Sequence, residues 1–254
     1  MGLLAINGQV WAQDSESSSA VDNEGFELGL KTGVNATWII NNNDLTNNSH
    51  HKEDFNIRFA PIGISAGYKF NDQASLMVEA FWSKQGSDYE IHDDNGSTVG
   101  KKKIKLDYIV VPILLKYTGT GETRFAFQFG AQAAFLMGGS ETNTFDRDVT
   151  FTQTYNQQPK TIQKGTYLLS NEGSDKPIDP NAHDFVKTDW NAVIDAGMEH
   201  DLSENCYLSI GLRLTYGFKD ILTGEHVEYL YDPDKFTLRS NATAGLHFGV
   251  HWFL

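Results

Sequence analysis

Residues 236–254 alternate almost without fault between two chemistries. Phe236, Leu238, Ala242, Ala244, Leu246, Phe248, Val250, Trp252 and Leu254 fall on one side; Thr237, Arg239, Asn241, Thr243, Gly245, His247, Gly249, His251 and Phe253 fall on the other. Successive side chains of a strand point to opposite faces, so the segment reads as a strand with one oily and one mostly polar face. It exceeds the usual strand length of soluble domains. The expectation is the closing strand of an outer-membrane β-barrel, with Gly249, Trp252 and Leu254 as the terminal signal read by the barrel assembly machinery. Leu254 stands where an aromatic residue is usual in such a signal.

The same alternation recurs near residues 25–40, 55–70, 74–91, 103–118, 124–139, 185–200 and 205–221. Leu28, Leu30 and Val34 oppose Lys31 and Asn35; Val78, Ala80 and Trp82 oppose Met77, Glu79 and Phe81; Leu212 and Leu214 oppose Arg213. In the second segment the phase changes near Pro61, as a β-bulge requires. In the fourth, Ile109, Val111, Ile113, Leu115 and Tyr117 are assigned outward and Lys116 inward, across Pro112. With the terminal strand, the reading is an all-β, eight-stranded antiparallel transmembrane β-barrel over residues 25–254.

Connections near 71–73, 119–123 and 201–204 are short, while those near 41–54, 92–102, 140–184 and 222–235 are longer. Short and long links alternate, as periplasmic turns and extracellular loops do. An even strand count then leaves both termini periplasmic. Aromatic residues gather in two belts: Phe26, Phe70, Tyr117, Phe125 and Trp252 at one set of strand ends, and Trp38, Phe55, Phe135, Trp190, Tyr216 and Phe236 at the other. Such girdles favour a membrane barrel over a soluble lipocalin-like one, whose oily face would point inward around a ligand. Trp38, Tyr117, Trp190 and Trp252 are the girdle residues proper, facing outer-membrane lipid and lipopolysaccharide.

Composition agrees. Hydrophobic residues are 40% of the chain and mean hydropathy is negative, and no run approaches the roughly 18 apolar residues of a membrane helix. A barrel that meets lipid at every second residue looks this polar. The net charge of −13 argues against nucleic-acid binding. The basic run Lys101-Lys102-Lys103 reads as solvated loop. Cys206 excludes an internal disulfide and reads as a small apolar residue deep in a strand. Residues 1–12, with Leu3-Leu4-Ala5-Ile6 and Ala12, suggest a residual signal peptide; residues 13–24, rich in Ser and acid, suggest a flexible periplasmic tail.

An eight-stranded barrel is just wide enough to be filled by its own side chains. Lys31, Glu79, Lys116, Asp195, Glu199, Arg213 and Arg239 all face inward by parity and form an expected polar plug; Lys69, Arg124 and Asp189 share that face. Charges taken from water must pair. Glu79 is expected with Lys116, and Arg213 with Asp195 or Glu199. His247 and His251 also face inward but carry no Ser-His-acid spacing, and His50-His51 reads as solvated. Asp93-Asp94-Asn95-Gly96 reads as a turn rather than a calcium loop. No catalytic residue, metal or cofactor is expected. The 140–184 loop, rich in Thr, Gln and Asn, half alternates over 144–154, which would let the fifth and sixth strands extend above the membrane as a hairpin.

Three segments carry a family resemblance: Gly29-Leu30-Lys31-Thr32-Gly33-Val34-Asn35; Val78-Glu79-Ala80-Phe81-Trp82-Ser83-Lys84-Gln85-Gly86; and Leu106-Asp107-Tyr108-Ile109-Val110-Val111-Pro112-Ile113-Leu114-Leu115-Lys116-Tyr117. Together they resemble the PorT-like outer-membrane β-barrel family of Bacteroidetes-type bacteria, some of whose members belong to type IX secretion. The resemblance implies fold and location strongly and function weakly. It is compatible with a non-enzymatic structural or accessory subunit of a secretion or uptake complex with a protein partner, with a surface adhesin or ligand-binding protein working through its loops, or with a small porin.

Overall fold

The computed structural model describes residues 25–41, 51–54, 56–152, 159–170, 185–221 and 239–254. The expected signal peptide and tail, Phe55, Phe236, and parts of the 140–184 loop lie outside them. Twelve strands are described: β1 (Gly25–Asn41), β2 (His51–Asp54), β3 (Ile57–Lys69), β4 (Ala74–His92), β5 (Thr98–Thr118), β6 (Thr123–Phe145), β7 (Val149–Thr152), β8 (Pro159–Ile162), β9 (Gly165–Ser170), β10 (Thr188–Ser203), β11 (Cys206–Gly217) and β12 (Arg239–Phe253).

Eight of them form an antiparallel ring in the order β10-β11-β12-β1-β3-β4-β5-β6, which returns to β10 through the β6–β10 pairing. Short links join β3 to β4, β5 to β6 and β10 to β11 at one end, the turn end; the remaining connections lie at the loop end. Burial is inverted relative to a soluble protein. Ile64, Ile113, Phe129 and Leu212 are exposed on the outer wall, while Glu79 and Asp195 are buried inside. An oily wall wrapped around a polar interior is stable only in lipid. Among the described residues no helix is long and apolar enough to cross a membrane; the strands span it.

Local chemistry sets the wall. At Pro61 the β1–β3 register slips, two β1 steps from Lys31 to Gly33 matching three on β3 from Gly63 to Ala60. One extra residue at a proline is the bulge the phase change requires. Pro112 does not break β5: Val78–Ile113 and Phe81–Val110 pair in one register, and the Pro112 side chain is buried.

Above the wall the structure departs from the expected loops. The 92–102 link is mostly strand, because Tyr89, Ile91 and Val99 stay inward and buried while β4 and β5 continue to a tight turn at residues 93–97. The basic run Lys101-Lys102-Lys103, expected as solvated loop, lies instead in β5. Lys102 in that run turns inward to Glu141 at 3.3 Å, within β5. Beyond the rim β6 runs on to Phe145, but pairs there with β9 rather than β10. The order β2-β4-β5-β6-β9 thus forms an open sheet above the ring. A β7–β8 hairpin packs Val149 and Phe151 against Ile91, Val99 and Phe145, giving the extension its own apolar core.

Candidate functional site

The interior is layered by the same parity that oils the wall. Nearest the turn end, the Lys116 Nζ donates to Glu27 Oε1 at 3.0 Å, Glu199 Oε1 at 3.2 Å and the Tyr207 hydroxyl at 2.8 Å. The Tyr207 hydroxyl donates onward to Glu27 Oε2 at 2.9 Å. Arg124 donates from Nε to Glu199 at 3.0 Å and from Nη1 to Asp201 at 2.7 Å. His251 lies flat on the Tyr207 ring, with centroids 4.5 Å apart.

One layer up, Glu79 takes the Lys31 Nζ at 2.6 Å and two Arg213 nitrogens at 2.5 and 3.2 Å, while Arg213 Nε donates to Asp195 at 2.9 Å. Two cations thus meet two carboxylates, and the bidentate fork on Glu79 is the stronger form of such a pair. The aromatic ring of Phe81 lies against both cations, 6.0 Å from Lys31 Nζ and 5.6 Å from Arg213 Cζ.

The expected Glu79–Lys116 pair does not form. Lys116 stands opposite Ser75, whereas the register puts Glu79 against Pro112, a displacement of about 13 Å along the strand at ~3.3 Å per residue. Lys116 instead reaches across the lumen to Glu27, which shares the inward parity of Lys31 and was open to the same argument. Of the two carboxylates considered for Arg213, it holds Asp195; Glu199 goes to Lys116 and Arg124. Arg239 stands apart from the plug, at the loop-end start of β12, with Asp220 at 3.4 Å. Cys206 is the first residue of β11 rather than deep within a strand.

Above the ion pairs, neutral groups take over. His247 Nε2 is 3.1 Å from Asn35 Oδ1, Gln132 donates to Asn191 at 2.9 Å, and the Thr215 and Thr243 hydroxyls share a hydrogen bond of 2.7 Å. A void of about 20 Å³ lies among Phe81, Gln132, Arg213 and His247, about enough for one water. Above this polar layer Ile39, Tyr89, Ile104, Leu106, Phe185 and Ile221 form an apolar stopper. Phe185 and Ile221 come from outside the barrel strands and are held by Val186 N–H donating to the Ile221 carbonyl at 2.8 Å.

On the outer wall, Tyr117 and Trp252 are exposed at the turn end and Trp190 at the loop end, whereas Trp38 is half-buried opposite Ala242. Leu254 is exposed and Gly249 buried at the β12 end of the wall.

The chemistry of this interior is cohesion. Ser209 Oγ lies 3.0 Å from His251 Nε2, but the other ring nitrogen, Nδ1, has no hydrogen-bond partner, so no acid orients the ring as a hydrolytic triad requires. Among the described residues no group of His, Cys, Asp and Glu could hold a metal ion.

The family model "Outer membrane protein beta-barrel domain" matches residues 11–223. Among solved structures, the chain is similar to Neisserial surface protein A at 12% identity, covering 91% of this chain and 97% of that one with a TM-score of 0.42. It is similar to the outer membrane protein OprG from Pseudomonas aeruginosa at 10% identity, with 92% and 99% covered and a TM-score of 0.42. The outer membrane protease OmpT from Escherichia coli is also similar, at 10% identity, with 90% and 95% covered and a TM-score of 0.41. A search of curated proteins finds no match. A ring of eight antiparallel strands, oily outside and ion-paired inside, meets here with a family model that spans most of the sequence: the chain belongs to the outer membrane protein beta-barrel domain family.

Proposed function

We propose that this chain is a non-enzymatic barrel of the Gram-negative outer membrane, working as a structural or accessory subunit of an envelope complex for secretion or uptake. In this reading the loop end faces outward, both termini are periplasmic, and lipopolysaccharide surrounds the loop-end girdle. The finer PorT-like, type IX assignment belongs to the same proposal and rests on the three resembling segments. One observation carries it: the lumen is filled by ion pairs at the turn end and an apolar stopper at the loop end. A filled lumen does not conduct, so the working surface is outside, and the loop-side sheet with its own core is an ordered surface for docking a protein.

That sheet also favours a second reading, a surface adhesin or ligand-binding protein. Purification from native membranes in mild detergent separates them. Reproducible co-purifying envelope proteins support the subunit. A lone monomer that binds a surface ligand, and loses it when residues 140–184 are trimmed, overturns the subunit reading in favour of the second.

A further inference from the structure

The outer face of the β4–β5 ladder changes character abruptly at the loop-end girdle. Trp82 pairs with Ile109 at the top of the oily wall; the next rows outward are Lys84 with Asp107, Gly86 with Lys105, Asp88 with Lys103 and Glu90 with Lys101. Parity puts Lys84, Lys101, Lys103 and Lys105 on the outer face, and all four are exposed. In a chain of net charge −13 this is a notable concentration of cations.

A run of lysines on a strand face is ordinarily solvated, with each lysine answered by a neighbouring acid. Here two of the three acids on this face are already engaged. Asp88 is shared by Lys103 at 3.7 Å and Arg58 at 3.6 Å, and Glu90 lies 3.7 Å from His92. Asp107 faces Lys84 across the ladder, yet no ion pair closes between them. Among the described residues neither Lys84 nor Lys105 has an ion-pair partner; Lys84 instead lies along the wall, its Nζ 5.7 Å from the Trp82 ring. The neighbouring β6 positions are Gly138 opposite Asp107 and Ser140 opposite Lys105, so no acid intrudes from that side.

Lys84 and Lys105 are diagonal neighbours, a spacing of about 7 Å that long side chains bridge. Between Lys84 and Asp88 stands the buried Gly86, at φ 122°, where a Cβ would strike the Ile104 carbonyl, so β4 and β5 approach closely beside the two lysines. The result is a two-lysine cradle directly above an indole ring, in the zone where a membrane protein meets headgroups.

We propose that Lys84 and Lys105, flanked by Lys103, bind a phosphate group of the phosphorylated glycolipid of the surrounding leaflet, with Trp82 packing beneath against its acyl chains. The identity of the lipid rests on the loop end facing the outer leaflet, as proposed above; the phosphate cradle itself does not.

The test titrates the folded protein in mild detergent with bisphosphorylated lipid A, dephosphorylated lipid A and phosphatidylglycerol, with binding read by native mass spectrometry. Bisphosphorylated lipid A is expected to bind and the dephosphorylated form to be lost, with phosphatidylglycerol weaker. Lys84→Gln and Lys105→Gln should each weaken binding about fivefold, the equivalent of one lysine at an anionic surface. Lys187→Gln, exposed elsewhere, should leave it unchanged. Asp107→Asn should tighten it, a gain that misfolding cannot mimic. Equal binding of dephosphorylated lipid A or of phosphatidylglycerol, or unaltered affinity in both lysine variants, overturns the proposal. Orientation fails separately: a tag in residues 140–184 that is inaccessible on intact cells overturns the outward loop end, while binding in detergent still reports on the cradle.

Discussion

Arg213 on β11 grips Glu79 on β4 through two guanidinium nitrogens, across the lumen and between strands that do not touch in the sheet. Backbone hydrogen bonds hold neighbouring strands together; this pair ties opposite walls. The lumen's charges therefore act as cross-braces, and the barrel's resistance to deformation depends on them.

Removing one brace should be costly. Glu79→Ala leaves Lys31 and Arg213 buried with Asp195 as the remaining acid of the layer, and stability should fall by about 3–5 kcal/mol, the usual cost of breaking a buried pair from one side. Denaturant unfolding of the reconstituted barrel, followed by tryptophan fluorescence, measures it. An unchanged midpoint would mean that the lumen admits enough water to solvate the orphaned cations.

Gly63 is expected to be intolerant for a steric reason. A Cβ at this position would run into the ring of Phe81, which is itself buried against Lys31 and Arg213. Gly63→Ala should cost about 1–3 kcal/mol by overpacking. Adding Phe81→Leu should recover part of that loss; if the two changes simply add, the ring is not what the methyl group strikes.

The filled lumen predicts silence in planar bilayers. The unmodified barrel should show no steady conductance. Phe185→Ala should destabilise by about 3–5 kcal/mol as a large-to-small change, and still not conduct, since the ion-paired layers beneath remain. Stable conductance steps from the wild-type protein would overturn the layered reading of the interior.

Much of this was legible in the alternation alone. Parity assigned Lys31, Glu79, Lys116 and Arg213 to the inside, and Leu212 and Trp190 to the outside, because a strand allows only two directions. It could not supply partners. Glu79 and Lys116 lie on adjacent strands with the right parity, but pairing depends on register, and Pro112 hides the register of β5 from the sequence. Lumen contacts also skip strands, so Lys116 met Glu27 from the far side of the ring. The loop-side sheet was legible only in part: the 74–91 segment takes in Tyr89 and Ile91, and the half alternation over 144–154 raises strands above the membrane, but not their pairing. Outside the membrane the outward face is charged instead of oily, and the inward Val99 was hidden among the Lys, Asp and His around it, so residues 92–102 read as a link. Phe185 and Ile221 stand at the ends of the 185–200 and 205–221 segments, on the inward parity of Asp189 and Arg213, but alternation alone could not show that they leave the strands to close the lumen.

The turn at the tip of the β4–β5 hairpin should respond to acid. Asp93 accepts the Ser97 and Asn95 backbone N–H groups at 2.9 and 3.0 Å and Arg147 at 3.0 Å. The Ser97 N–H foremost, then those of Asn95 and Arg147, hold its carboxyl below the ordinary carboxylate value. A depressed value means that the charged form belongs to the folded turn. Its contribution is complete above the ordinary pKa of about 3.9 and fades as pH falls through the lower folded value. Amide exchange at Ser97 should therefore stay protected at neutral pH and quicken in strong acid, while Asp93→Asn removes the pH dependence. Identical acid profiles in both proteins would assign the response to another group.

The seam between β1 and β12 sets an order of events. These strands pair along nearly their whole length, and inside the seam His247 meets Asn35 across 212 positions of sequence. Every other ladder of the ring except β6–β10 joins strands that follow one another closely in the chain, so each can form as its hairpin or meander is laid down. The seam cannot, because its two halves are made first and last. Until β12 docks, β1 and β11 each present an open edge, the kind of strand that pairs with whatever chain is nearest. The barrel's most vulnerable moment is therefore just before completion, and a helper that shields the β1 edge until β12 arrives would protect this chain more than one that stabilises any finished hairpin.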